Sequence, residues 1–265
     1  MGLNLITLLK YYSIFQEKFG CQIKFGIEYE FYFIPCSAEF DLASFFKAFE
    51  KSFPEFIIKP EKGKYQFELI SIPFLNPNAL IIKFNQFKES LKVAAQKIQA
   101  TYLELAVPFE HQPSSGLHVN LSITDFEFFT QNLENIIGGL YHNLLATLIY
   151  FAPFEENYLR FTRKEMENPS TLSWGRNNRS VAIRIPVSQR EPKLFRIEHR
   201  VASPNAKLEQ VLAAIIFAII NGIERAIKPP QAVYGIAHLE QYNPIFLPTS
   251  LTEAKLINKK AKIKL

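Results

Sequence analysis

The stretch IKFGIEYEFYF, residues 23–33, alternates strictly enough to dictate its own surroundings. With a period of two, Ile23, Phe25, Ile27, Tyr29, Phe31 and Phe33 share one face, and Glu28 and Glu30 share the other. An aromatic face of that kind needs a second layer to cover it, whereas the acidic face resists burial. Such a strand belongs in an antiparallel sheet with one apolar and one polar side. The alternation returns in KYQFELI (64–70), SSGLHVNLSI (114–123), SVAIRIPV (180–187) and FRIEHRV (195–201).

Between these segments the apolar period changes to that of a helix. The spacing predicts helices over 3–19, stopped by Gly20, and over 41–53. Others are expected over 78–102, capped by Asn78, over 125–151, and over 207–227 before Pro229 and Pro230. The expected fold is α+β: a curved antiparallel sheet with helices on one face, formed by residues 1–265 as a single domain.

Composition narrows the function. Charged residues at 21% and hydrophobic residues at 48% are ordinary for a folded soluble chain. The net charge of +5 is not patterned for nucleic acid: its densest cluster, Lys255, Lys259, Lys260, Lys262 and Lys264, reads as a solvated terminus. VLAAIIFAII, residues 211–220, is about half the length of a membrane span and reads as a buried helix. Cys21 and Cys36 form no metal motif or disulfide framework, which points to free thiols in a reducing cytoplasm. A cytoplasmic chain with neither nucleic-acid nor membrane partners is expected.

The polar strand faces carry the chemistry. They present Glu28, Glu30, Glu68, His118, Asn120, Arg184, Arg196, Glu198 and Arg200, with Glu61 and Arg179 just outside two of the strands. Any one of these faces is explained by solvent exposure. Together they gather carboxylates that would repel one another and raise one another's pKa values. Divalent cations relieve that repulsion, and oxygen ligands with one imidazole suit Mg²⁺ or Mn²⁺. Guanidiniums beside such metals suit phosphoryl oxygens. Phosphoryl transfer is the chemistry implied.

Taken in order, the segments resemble glutamine synthetase. GIEYEF looks like that family's Glu-x-Glu-Phe strand, and EKGKYQFEL its Glu-Val-Ala-Pro-Gly-Gln-x-Glu segment. SSGLHVNLSI, SWGRNNRSVAIRIP, FRIEHRVASPNA and LPTSLTEA are similar to four further family segments. The resemblance implies two metal sites, one held by Glu30, Glu61 and Glu68 and the other by Glu28, His118 and Glu198. It implies that Arg179 and Arg184 meet the phosphates of ATP and of an acyl phosphate. Arg196 and Asn120 would lie near the nucleotide, and Arg160 and Arg200 would bind the carboxylate of an amino-acid substrate. Glu167 would be the flap residue that shields the acyl phosphate, with Glu165 as its rival.

The implied activity is an ATP-dependent carbon–nitrogen ligase acting on glutamate or a similar amino acid with ammonium or another amine. The alternative is a non-catalytic binding or assembly protein of the same family. Only residues 1–22 precede the Glu-x-Glu strand, where the family carries a β-grasp domain that completes a neighbour's site, and the C-terminal region is shortened. A homo-oligomer or a separate partner chain would then complete the site. Pro113 and Ser114 replace glycine-rich family positions that line the substrate pocket.

Overall fold

A computed structural model describes residues 3–186 and 194–265. Helix α1 (Leu3–Phe19) ends at Gly20, whose φ of 67° lies in the left-handed region. Strand β1 (Ile23–Ile34) follows, then α2 (Leu42–Ser52), whose cap Asp41 accepts the Ser44 N–H. Strands β2 (Phe56–Pro60) and β3 (Gln66–Ser71) precede α3 (Pro77–Lys97). The cap of α3 is Asn76 rather than Asn78: its side chain accepts the Asn78 and Ala79 N–H groups, and Pro77 takes the first helical position.

Two predicted helices divide. The one expected over 78–102 stops at Lys97 because Gln99 turns left-handed, with φ 55°. Residues Thr101–Leu103 then form β4, which pairs with Tyr32–Ile34 at the end of β1. The one expected over 125–151 breaks at Asn132 into α4 (Phe126–Gln131) and α5 (Leu133–Phe151). The Asn132 side chain donates to Phe128 O, so a local side-chain bond competes with continuing the helix. Strand β5 (Leu117–Ile123) lies between β4 and α4. After α5 come the short α6 (Leu159–Thr162), β6 (Trp174–Arg176), β7 (Ile183–Ile185) and β8 (Ile197–Ala202). Helix α7 (Leu208–Glu224) ends short of the prolines and contains the apolar 211–220 run, and α8 (Leu251–Ala261) completes the series. The far end of the expected 180–187 strand, Val187, lies outside the described residues.

The strands form one sheet in the order β2-β3-β1-β5-β8-β7-β6, with β4 also on β1. All these pairings are antiparallel except β6 with β7. The apolar face of β1 is buried against helices, with the Tyr29 ring edge-on to Phe84 of α3. His199 belongs to this face, fully buried and stacked on Phe151 at 4.5 Å. Burial first, and the nearby His118 second, push its imidazole down to about 3, so it is neutral at ordinary pH. Helices α5 and α7 cross at Gly139 and Gly222, where a Cβ on either would strike the partner helix's backbone. Among the described residues no helix is long and apolar enough to cross a membrane.

Candidate active site

Sheet register assembles the site. Glu30 of β1 stands opposite Glu68 of β3, and Glu28 stands opposite His118 of β5. On the next strands Asn120 faces Glu198 of β8, which in turn faces Arg184 of β7. Residues far apart in the chain thus become cross-strand neighbours on one face. Between β5 and β8 the pairing slips, because Leu117 faces Ala202 while Val119 faces His199. Two steps along β5 match three along β8, a bulge of the kind that re-aims side chains.

This face is not wet. Glu198, His118 and Arg200 are only 2%, 4% and 4% exposed. Loops close over the sheet and leave a pocket of about 600 Å³ lined by both signs of charge. Every residue proposed for the site except Asn120 lines it. Asn120 lies just behind, donating to Glu28 Oε1 at 2.9 Å and accepting from Arg196 Nε at 2.9 Å.

The donor atoms fall into two overlapping groups within 4.8 Å: Glu28, His118 and Glu198, and Glu30, Glu68 and His118. The first matches the expected ligand set. In the second, His118 joins Glu30 and Glu68, and Glu61 stays at the rim, where its carboxylate accepts the Lys62 N–H at 2.7 Å. The His118 Nδ1 lies 3.6 Å from Glu28 and 3.5 Å from Glu198 and makes no hydrogen bond. A donor set of half-buried carboxylates and buried Glu198 around an unbonded imidazole nitrogen fits a divalent cation with oxygen-rich coordination.

Electrostatics sort the acids. Burial raises the Glu28 pKa, but the adjacent His118 imidazole, the Asn120 amide and the Arg196 charge outweigh it and hold the carboxyl at about 2. Glu68 has no such partners: burial, then Glu28, Glu30, Glu61 and Glu198, push it up to about 8. Glu198 is held by Arg184 Nη1 and Arg200 Nε, both at 2.8 Å. The remaining Arg200 nitrogens donate to Arg179 O and Glu167 O. Arg160 is fully buried, donates to Val201 O and Ala202 O at 3.3 Å, and lies 3.4 Å from His118 Nε2. Burial lowers its guanidinium to about 10, which leaves it charged at neutral pH.

A strap, residues 163–168, crosses the pocket rim. Glu167 pairs with Lys62 and, at 3.7 Å, with Arg179, while Glu165 pairs with Arg163 at 3.2 Å. Burial raises the Glu167 pKa, but Lys62 first and then Arg179 and Arg200 bring it below the ordinary carboxylate value.

The family model for the glutamine synthetase catalytic domain matches residues 47–260. The chain belongs to the glutamine synthetase family. It is 31% identical to gamma-glutamylputrescine synthetase of Escherichia coli strain K12 over 155 residues, 55% of this chain and 32% of that protein. It is 29% identical to glutamine synthetase of Pyrococcus horikoshii over 278 aligned positions, 90% of this chain and 61% of that one. The matched regions span from about a third to three-fifths of these relatives' own lengths. The solved apo structure of GmaS superposes with a TM-score of 0.80 at 20% identity, covering 98% of this chain and 68% of that one, a likeness of fold.

Within this glutamine synthetase frame, several residues that shape the pocket escaped the sequence analysis. Tyr32 follows Glu28 and Glu30 on the same period of two, and its hydroxyl donates to Pro113 O at 2.9 Å. Gln66 is buried and donates to Ser114 O at 3.0 Å. Both were legible as positions on the site face. Lys62, Arg163 and Asn168 sit in loops, where no periodicity marks them.

Proposed function

We propose that this chain is an ATP-dependent ligase that forms an amide on the side-chain carboxylate of glutamate or a similar amino acid. The observation that carries this reading is the convergence of Glu28, Glu30, Glu68, His118 and Glu198 with Arg179, Arg184 and Arg196 in one pocket of a glutamine synthetase family chain. Glu28, His118 and Glu198 would hold one Mg²⁺ or Mn²⁺. Glu30 and Glu68 would hold the other, with Glu61 supplied from the rim. Bound cations would draw charge from the phosphoryl oxygens of ATP.

The chain's own groups do the rest. Arg179 and Arg184 offer guanidiniums to the transferred phosphoryl group, and Arg196, steered by Asn120, offers one to the nucleotide. A carboxylate oxygen of the amino acid attacks the terminal phosphorus and ADP leaves. The amine nitrogen then attacks the acyl carbon, the C–O bond to phosphate breaks, and the nitrogen loses a proton. Arg160 and Arg200 would anchor the amino acid's other carboxylate. Glu167, held over the rim, would keep water from the acyl phosphate. The gamma-glutamylputrescine synthetase relative favours an organic amine as well as ammonium among the second substrates to test.

The test is phosphate release from ATP and Mg²⁺, measured with L-glutamate, with an amine (ammonium, methylammonium or putrescine), and with both. Release that requires both substrates, with an amide product in equal amount, is the expected result. Release indifferent to either substrate, or none under any combination, overturns the reading.

A further inference from the structure

Arg163 roots the strap immediately after α6 and reaches sideways into the loop over residues 109–116. Its Nη1 donates to Gln112 O at 2.7 Å, and its Nη2 donates to Phe109 O at 2.9 Å and Glu110 O at 2.7 Å. The same guanidinium pairs with Glu165, also on the strap. A planar fork can collect carbonyls that point in different directions, whereas an ammonium on a flexible stem cannot hold them all. Without it, these carbonyls would turn to water and the loop would sample other conformers.

Both partners that Arg163 joins are anchored on their far sides. The loop is tied to β1 by Tyr32 on Pro113 O, and to the β2–β3 connection by the Lys64 N–H on Gln112 Oε1 at 3.0 Å. The strap is closed at its base by Asn168, whose side chain donates to Arg160 O and Arg163 O and whose N–H donates to Glu165 O at 3.2 Å. Pro113 and Ser114 from the loop and Glu165 and Met166 from the strap line the same pocket.

We propose that Arg163 is a positioning residue that joins the strap to the 109–116 loop and so presets the rim through which the amino acid and amine reach the pocket. The ligase reading of the pocket underlies what passes this rim; the joining of loop and strap stands apart from it. A preset rim lowers the ordering cost of binding, so its loss falls on the substrates that contact the rim and spares ATP.

Hydrogen–deuterium exchange on the full chain, with and without Mg²⁺, compares wild type, Arg163→Ala and Arg163→Lys. Amides in 106–116 and 163–168 should exchange about tenfold faster in both variants, with β1 and β8 unchanged. If Arg163→Ala does not fold, Arg163→Lys, which keeps charge and stem, carries the comparison. Wild-type exchange in both segments overturns the proposal. So does Arg163→Lys behaving as wild type, since charge alone would then suffice, or equal loosening of the whole chain, which marks a general stability effect. Where wild type turns over L-glutamate with ammonium or methylammonium, KM for these should rise about fivefold while KM for ATP stays within about twofold. An equal rise in both overturns the proposal. A wild type inactive with these probes counts against the ligase reading, and exchange still decides the role of Arg163.

Discussion

Glu30 and Glu68 face each other directly across β1 and β3, and among the described residues neither makes a salt bridge. Like charges directly opposite on a sheet are destabilising. Burial first, and then the charges of Glu28, Glu30, Glu61 and Glu198, push Glu68 up to about 8 from its ordinary 4.5. The folded chain therefore keeps this proton where the unfolded chain has released it. With a raised folded pKa, Glu68 favours folding at low pH and costs stability as pH rises from about 4.5 to about 8. Thermal melts should show metal-free wild type losing stability across that window relative to Glu68→Gln. Identical pH profiles for the two proteins would mean that Glu68 is ionised throughout.

Divalent cations should reverse that cost. Titrating Mg²⁺ or Mn²⁺ should raise the melting temperature by mass action, equivalent to about 2.7 kcal/mol at a hundred times Kd. Glu30→Gln should remove most of the shift while leaving the metal-free protein at least as stable as wild type. A wild-type melting curve that ignores both metals, with and without ATP, would refute the cation site.

Arg179 and Arg184 should separate. The Arg179 side chain is 56% exposed, whereas Arg184 is mostly covered and bonded to Glu198 at 2.8 Å. Arg179→Ala should leave the melting temperature near wild type and weaken nucleotide binding by about 1.5–3 kcal/mol, the scale of a hydrogen bond to a charged group. Arg184→Ala should do the same to the nucleotide and also lower stability, because it removes one of the cations on buried Glu198. Calorimetric binding of ADP alongside melts distinguishes the two, and equal stability losses would contradict the difference in burial.

Glu198 and Arg200 should behave as one unit. The Arg200 fork bonds the Glu198 carboxylate and the backbones of Arg179 and Glu167, so the Glu198 carboxylate, the strap and the Arg179 loop share a residue. A double-mutant cycle of Glu198→Gln and Arg200→Lys, read by Mn²⁺ affinity, should give a coupling of about 1 kcal/mol or more. Strict additivity would mean that the contact carries no energy for the site.

Gly222→Ala should test the layer behind the sheet. The added Cβ would meet Asn135 O and the Gly139 backbone across the α5–α7 contact, atoms that cannot swing aside. A loss of about 1–3 kcal/mol in denaturant unfolding is expected, the usual scale of overpacking. Unchanged stability would show that the helices can move apart freely.

Much of the fold and site was legible because two periods dominate the chain. The period of two in GIEYEF, QFELI, LHVNL and RIEHR assigned Glu28, Glu30, Glu68, His118 and Glu198 to one sheet face, and these residues do converge. Helices α1, α2 and α7 fell near their expected spans because apolar spacing and stop signals agreed. The missed boundaries were those where a left-handed residue, Gln99, or a local side-chain bond intervened. Asn76 outcompeted Asn78 as a cap because Pro77 suits the first helical turn, and Asn132 split 125–151 by bonding Phe128 O.

Sequence by itself determined which residues share a face, since side-chain direction along a strand or helix is a local property of the backbone. Tertiary structure decided everything that depends on distance between strands and loops. Pairing register put Glu30 against Glu68 and Glu28 against His118, and brought Arg184 of β7 onto Glu198 of β8. The strap and the 109–116 loop turned an apparently wet sheet face into a buried pocket. Partners there, rather than residue type, separate two carboxylates on neighbouring strands: burial raises both, but His118, Asn120 and Arg196 bring Glu28 down to about 2, whereas the surrounding acids add to the rise of Glu68 to about 8. The pKa of a carboxyl follows from its desolvation and its partners, and both are fixed only when distant parts of the chain come together.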